Sequence, residues 1–426
     1  MSSAVIALII LLITIIMFFT ELLPLSITAM LAAIAMGVFG VMDWSDVFSG
    51  MSNSITLFLV GCGILGASYF STGLSDVIGA RLMKIGGQLS EKRFILVLFL
   101  IGAVTSAFFN GAMIVAIMFP IIDALAQSSK GRITRKQLYL PTAISTVIGS
   151  NITTIGSTSM MLAVGLLASS EYSYTVSFFE PLAIGLPGIV ITFLIYATFG
   201  YRMQNRIFNF PDVPPDIDIE QEPFCKCGKL TKHQWIVIFV TLLCIGSLIA
   251  GFNYGAAGFL AAAILVITGC IDLKHAYRSV SWDVVFLVVG SLGIAKGLAS
   301  SGASSLIADA TLHAFSFLNG SPCGMCIVIL LLSTLLSNFM SNGATVSIVV
   351  PIALSIALAM NTPGTPFVLA AAIGANISVA TPISVTQVTM SCAAGYRFRD
   401  LLKMGGFINF LAFLVTSLAL AMVYYI

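Results

Sequence analysis

Apolar runs long enough to cross a bilayer recur along the whole of this chain, and no other feature constrains its fold as strongly. Eight of them read as ordinary membrane helices: Ala4–Phe19, Leu23–Met42, Ile55–Ser71, Pro181–Phe199, Trp235–Gly251, Ala256–Cys270, Val284–Ser300 and Phe407–Tyr425. Lipid offers no partner to a backbone N–H or C=O, so such runs form helices that satisfy their own backbone. Composition points the same way, with 58% of the 426 residues hydrophobic and 8% charged, against roughly a quarter charged in a soluble domain. The net charge of +2 gives no sign of a nucleic-acid partner. The first run has no basic residue ahead of it and turns back into lipid after Glu21-Leu22-Leu23-Pro24, which predicts a transmembrane helix and not a cleaved signal.

Four further stretches are apolar but interrupted. Residues 138–168 and 366–392 carry Gly, Asn, Ser and Thr at their centres and are predicted as broken membrane helices. Residues 93–126 and 322–360 are each too long for one crossing and too short for two of about 20 residues. Both have small polar residues in the middle. That pattern predicts re-entrant hairpins, whose non-helical tips are tolerated where they are buried in protein or face water.

The basic residues test this map through the positive-inside rule. Ten crossings and two hairpins bring Arg81, Lys84, Lys92, Arg93, Lys130, Arg132, Arg135, Lys136, Arg202 and Arg206 to the cytoplasmic face. Lys226, Lys229, Lys232, Lys274, Arg278, Arg397, Arg399 and Lys403 join them, leaving only Lys296, inside a helix. The external loops carry the acids Asp43, Asp46, Glu171 and Asp309. The expectation is a multi-pass protein of the plasma membrane with both termini outside. Lys296 is expected to reach the outer surface or to neutralise a helix C-terminus. The segments 76–84 and 304–313 look amphipathic and are expected to lie along the interfaces. Cys225-Lys226-Cys227, a close cysteine pair, supplies half a zinc site at best.

Five crossings per half is an odd number, so the halves should have opposite orientations, and a repeat is visible in the residues. Val60-Gly61 through Ser71-Thr72-Gly73-Leu74-Ser75 aligns without gaps to Val289-Gly290 through Ser300-Ser301-Gly302-Ala303-Ser304. Gly149-Ser150-Asn151-Ile152-Thr153 aligns to Gly374-Ala375-Asn376-Ile377-Ser378, and Asn110-Gly111-Ala112 with Pro120 to Ser341-Asn342-Gly343 with Pro351. The predicted fold class is therefore an all-α membrane protein of two inverted repeats, 1–200 and 233–426, joined by a polar cytoplasmic linker at 201–232.

Discontinuous helices in matching halves are the best sequence pointer to a carrier's binding site. Their free N–H groups attract anions and their free C=O groups coordinate cations. The polar groups at the breaks are Asn110, Ser150, Asn151, Thr153, Thr154, Ser157 and Thr158 in the first half, and Ser341, Asn342, Thr345, Asn376, Ser378, Thr381 and Ser384 in the second. None is ionisable. Such oxygens suit a hard monovalent cation such as sodium, while hydroxyls and half-helix N–H groups suit carboxylate or sulfate oxygens. The buried carboxylate that a proton antiporter generally needs is missing from these segments, and Asp123 and Asp283 fall near the membrane boundaries. No His-Glu-x-x-His motif, paired midplane acids or nucleophile–base spacing marks an enzyme.

These residues resemble the divalent anion:sodium symporter family of the ion-transporter superfamily, over essentially the whole chain. The family's Ser-Asn-Thr at the hairpin tips is similar to Ser341-Asn342-Gly343, and its Ala-Thr-Pro-Pro-Asn to Ala380-Thr381-Pro382. Gly395-Tyr396-Arg397-Phe398-Arg399-Asp400 resembles its Gly-Tyr-Lys-Phe-Arg-Asp stretch. The resemblance implies a homodimer with a static scaffold, a mobile domain that moves like an elevator, and dicarboxylate, citrate or sulfate-type substrates with sodium as the coupling ion and no other cofactor. It implies cation ligands around Asn110, Ser150, Asn151 and Thr153, and around Ser341, Asn342, Asn376 and Ser378. It implies an anion between Asn110, Gly111, Thr158, Ser341, Asn342, Gly343, Thr381 and Pro382. The chain departs from the pattern where Asn110-Gly111-Ala112 replaces Ser-Asn-Thr, where Gly343 replaces Thr, and where Thr158-Ser159-Met160 and Pro382-Ile383-Ser384 replace Pro-Pro-Asn. Sodium-coupled symport of a multivalent anion is the leading expectation, with sodium-independent exchange or permeation on the same fold as the alternative and cation/proton antiport behind both.

Overall fold

The side chains of Asn53, Asn110, Ser157, Thr231, Asn253, Ser321 and Ser341 cap the starts of helices in this chain. In the computed structural model, which describes residues 2–86, 88–129, 132–170, 176–212, 230–315, 318 and 320–425, every long element is an α-helix. The chain opens with α1 (Ser3–Thr20), α2 (Leu25–Val38), a short α3 (Trp44–Val47) and α4 (Ser54–Ser71), followed by α5 (Leu74–Gly86). A helical hairpin, α6 (Glu91–Ser106) and α7 (Gly111–Ser128), leads to an interrupted helix, α8 (Arg135–Gly149) and α9 (Thr158–Ala168). Then α10 (Glu180–Ile195) runs through a π-helical turn into α11 (Tyr201–Ile207).

The same order then returns. It comprises α12 (Lys232–Ile249), α13 (Tyr254–Ile267), a short α14 (Leu273–Ser279), α15 (Trp282–Ser300) and α16 (Ala303–Ala314). The hairpin α17 (Pro322–Ser337) and α18 (Asn342–Ala359), the interrupted α19 (Gly364–Ile377) and α20 (Thr386–Ser391), and the long α21 (Phe398–Tyr424) complete it. Among the described residues, seven helices are long and apolar enough to cross a membrane. Helix α18 is one of them by length, but its first residues lie deep in the protein, at the cavity described below.

The boundaries differ from expectation where a cap acts. The second run stops at Val38 and not Met42, and α21 starts nine residues early because Asp400 accepts from the Arg397 amide at its first turn. The polar connection is shorter than the sequence suggested, since α11 carries the helix through Ile207 and α12 starts at Lys232. Cys225, Cys227, Lys226, Lys229, Lys130 and Glu171 lie outside the described residues.

Packing divides the helices into two groups. In one, α4 packs on α13 and α15 on α2, with α1 beside α2 and α12 beside α13. The two close crossings use the aligned glycines. A Cβ on Gly61 would stand 2.3 Å from the Gly258 carbonyl carbon, and one on Gly290 would stand 2.4 Å from that of Ala29. In the other group α6 packs on α8, α17 on α19 and α10 on α21. There Gly149 lies against Ala103 and Gly374 against the Leu330 carbonyl, again an aligned pair. Close backbone approach through small residues is how helices associate without a hydrophobic driving force between them. The groups meet where α9 and α18 touch α15, where α9 touches α4, where α5 covers α7 and where α16 covers α18.

Distant basic segments converge at one end. Glu91 accepts from the Thr134 amide and hydroxyl and from the Tyr201 hydroxyl, and Asp212 caps the start of α8 through the Arg135 and Lys136 amides. Tyr396, in the Gly-Tyr stretch, donates to the Lys136 carbonyl and accepts from the Leu140 amide, filling a gap in the α8 ladder one residue before Pro141. Lys296 reaches the opposite end and pairs with Asp46 at 2.9 Å. Both partners are more than a third exposed, so the pair contributes at most about 1 kcal/mol.

Candidate functional site

Four helix interruptions meet around one cavity of about 590 Å³. Each has a local cause. Asn110 caps α7, its Oδ1 accepting from the Ala112 amide at 2.9 Å, and Ser341 caps α18, its Oγ accepting from the Ala344 amide at 3.2 Å. Ser157 caps α9 in the same way through the Met160 amide. A side-chain acceptor satisfies a helix start that would otherwise leave bare N–H groups inside the protein.

The extended segment after α19 contains Pro382, and its freed backbone is paired by two buried asparagines. The Val379 amide donates to Asn409 Oδ1 at 2.9 Å, and the Ala380 amide to Asn338 Oδ1 at 3.3 Å. The Asn409 Nδ2 also donates to Asn338 Oδ1. Buried backbone groups need such partners, so these two asparagines hold the interruption open.

Asn376 links the parts. Its Oδ1 accepts from Ser159 Oγ at 2.6 Å and from Asn342 Nδ2 at 3.1 Å, while its Nδ2 donates to Asn151 Oδ1 at 2.9 Å and to Ser157 Oγ at 2.8 Å. One carboxamide thus ties the second hairpin tip to both broken helices. Asn342 Oδ1 in turn accepts from Ser337 Oγ at 2.5 Å.

The cavity brings together Asn110, Gly111, Ser150, Thr158, Ser341, Asn342, Gly343 and Asn376 from the expected set. It does not bring Asn151, Thr153, Ser378, Thr381 or Pro382 to its wall. Asn151 is buried behind it and serves Asn376. Thr153 donates to the Ala107 carbonyl, Ser378 to the Ala375 carbonyl, and Thr381 to the Asn338 carbonyl. The Pro382 carbonyl accepts from Thr389. All five make hydrogen bonds at the breaks and none lines the cavity in this conformation; for the three hydroxyls the partner is a backbone carbonyl.

The wall also contains residues outside that set: Ser159, Gln387, Ser279 and Ser281, with Ser157 and Ser384 from the breaks. Ser159 continues the run Ser157-Thr158-Ser159, a signal that was there to be read. Gln387 has no such signal, because it lies beyond the aligned blocks, which end at Thr153 and Ser378.

No Asp, Glu, Lys, Arg or His lines the cavity among the described residues. Asp123 is buried elsewhere, paired with Arg135 Nε at 2.6 Å and accepting from the Tyr139 hydroxyl, and Asp283 accepts from Ser26. The cavity extends to Phe70 near the end of α4 and to Ser279 and Ser281 before α15. These residues stand at the end where the basic segments converge, since Gln234 at the start of α12 donates to the Thr72 carbonyl.

A family profile described as citrate transporter matches residues 9–346 and 310–426 of the chain. The chain belongs to the citrate transporter family. Membership puts it among transporters and not enzymes, and agrees with the resemblance to divalent anion:sodium symporters. Over 183 residues it is 31% identical to an uncharacterised transporter of Synechocystis, covering 43% of this chain and 29% of that protein. It is 24% identical over 322 residues to the sodium-dependent dicarboxylate transporter SdcS of Staphylococcus saprophyticus, covering 68% of this chain and 61% of that one. The matched region spans less than two thirds of each of these relatives. The YdaH transporter of Alcanivorax borkumensis has the same fold, with a TM-score of 0.63 over 92% of this chain and 88% of that one at 13% identity.

Proposed function

We propose that this chain is a secondary carrier of small multivalent anions, a di- or tricarboxylate above all, coupled to sodium. The observation that carries the reading is the cavity where two hairpin tips and two helix breaks meet, lined by amides and hydroxyls without a charged side chain among the described residues. Such a wall must offset two or three negative charges by other means. The starts of α7, α9 and α18 line it, and each is equivalent to roughly +0.5 charge, so together they fall short of a dianion. Co-bound sodium makes up the difference, and the likeness to the sodium-dependent dicarboxylate transporter SdcS supports that choice.

On this reading the halves are inverted repeats, the hairpins are re-entrant, and both termini lie outside the plasma membrane. The group containing α6–α11 and α17–α21 moves as an elevator against a scaffold of α1–α4 and α12–α15, within a homodimer. The cavity's reach towards the basic end supports an inward-facing state.

A sodium-independent exchanger is the second reading, favoured by one observation: the oxygen and nitrogen of the Asn376 carboxamide and the Asn151 oxygen are already bonded within the protein. Proteoliposome uptake of radiolabelled citrate and succinate separates the two. Uptake several-fold faster under an inward sodium gradient than under potassium is the expected result. Equal rates would favour exchange, and no uptake of either anion would sink both readings.

A further inference from the structure

We infer that Gln387 supplies the carboxamide the first hairpin tip lacks, and that it binds a carboxylate of the transported anion. The inference rests on the carrier reading above and names a residue for its substrate contact. The two tips align as Asn110-Gly111-Ala112 and Ser341-Asn342-Gly343, so the carboxamide of Asn342 faces an empty glycine in the first half. The space is not vacant. Gln387, on the second half's α20, lies against that glycine, with its Nε2 2.6 Å from where a Cβ on Gly111 would stand. An asparagine at position 111 and the glutamine at 387 cannot both keep these places.

The two carboxamides differ in what they are free to do. Asn342 is engaged at both ends, by Asn376 and by Ser337. The Gln387 side chain lines the cavity, is only partly buried and makes no hydrogen bond to any described residue. Its two N–H donors therefore remain for a ligand. Asn110, next to Gly111 in the chain and on the same cavity wall, uses Oδ1 on the Ala112 amide and keeps its own Nδ2 free. Two neutral amide donors on one cavity wall suit the oxygens of a carboxylate. A hydrogen bond to a charged group is stronger than a neutral one, so Gln387 should set affinity and choice among anions.

Binding of citrate and succinate to purified protein by calorimetry, with uptake Km and Vmax in proteoliposomes, tests this. Gln387→Ala should weaken binding and raise Km by roughly tenfold or more. Gln387→Glu, the same shape with a negative charge, should lose more. The double variant Gly111→Asn with Gln387→Ala returns a carboxamide to the tip and should recover most of the lost affinity. Near-wild-type affinity in Gln387→Ala or in Gln387→Glu would overturn the inference. So would a double variant as weak as Gln387→Ala, since the loss would then come from something other than the missing amide. Wild-type protein that neither binds nor transports either anion would overturn the carrier reading and this one together, whereas wild-type binding with unaffected variants overturns this one alone.

Discussion

Asn376 has all four hydrogen-bonding positions of its carboxamide filled by the protein, and that changes what its substitution should do. As a cation ligand it would act alone. As a hub it holds Ser159, Asn342, Asn151 and Ser157 in place, all from segments that must stay non-helical or just begin a helix. Asn376→Ala should abolish uptake and also lower thermal stability, by roughly 1–3 kcal/mol for each buried group left unpaired. A thermal-denaturation measurement showing wild-type stability would mean that the network is not holding the breaks. Asn151→Ala removes one of these bonds and should be milder in stability while still lowering transport. Thr153, Ser378 and Thr381 show the limit of reading such residues from sequence. Their hydroxyls donate to backbone carbonyls at the breaks and stand off the cavity wall, while their oxygen lone pairs stay available.

At the scale of elements, helix ends and helix crossings are separate problems for the sequence. Ends have local causes, since Asn110, Ser157, Ser341 and the Thr231–Gln234 capping box each stand at a start for a reason confined to a few residues, although apolar runs alone misplaced the start of α21 by nine residues. Crossings are not, because a glycine inside an apolar run looks the same whether it faces a helix or lipid. A Cβ on Gly149 would stand 2.4 Å from the Ala103 Cα, and one on Gly374 would stand 2.7 Å from the Leu330 carbonyl oxygen and 3.0 Å from the Ser333 Cβ. Gly246, on the exposed face of α12, has open space. Gly149→Ala and Gly374→Ala should therefore lower the melting temperature, each costing about 1–3 kcal/mol through forced backbone shifts. Gly246→Ala should leave it unchanged or raise it, since alanine is the better helix former. Equal melting temperatures for all three variants would mean that the crossings are looser than drawn.

The whole molecule consists of two helix groups that touch through few polar contacts. Ser291 on α15 and Ser347 on α18 bond across the boundary at 2.7 Å, as do Thr154 and Tyr254 at 2.9 Å. Weak hydroxyl pairs of this kind, each about 1 kcal/mol or less between membrane helices, suit a boundary that slides. On the elevator reading, cysteines at 291 and 347 in a background without native thiols should cross-link on mild oxidation and stop uptake, with reductant restoring it. Full uptake by the cross-linked protein would rule out motion along this boundary.

Membrane class, helical fold, the order of elements and the uncharged polar residues that meet at one cavity were present in the sequence. Apolar length, small-residue interruptions and caps act over short distances that the residues themselves record. The repeat added a second reading of each break and led to Asn376, Asn342, Asn110 and Thr158. Only the tertiary structure decided which of these polar groups face the cavity and which repair the backbone, because that depends on which carbonyl or amide from a distant helix arrives first. It also decided the place of Gln387. That residue stands outside the aligned blocks, and the role proposed for it comes from a glycine 276 positions earlier in the chain, a proximity that packing creates and no local pattern encodes.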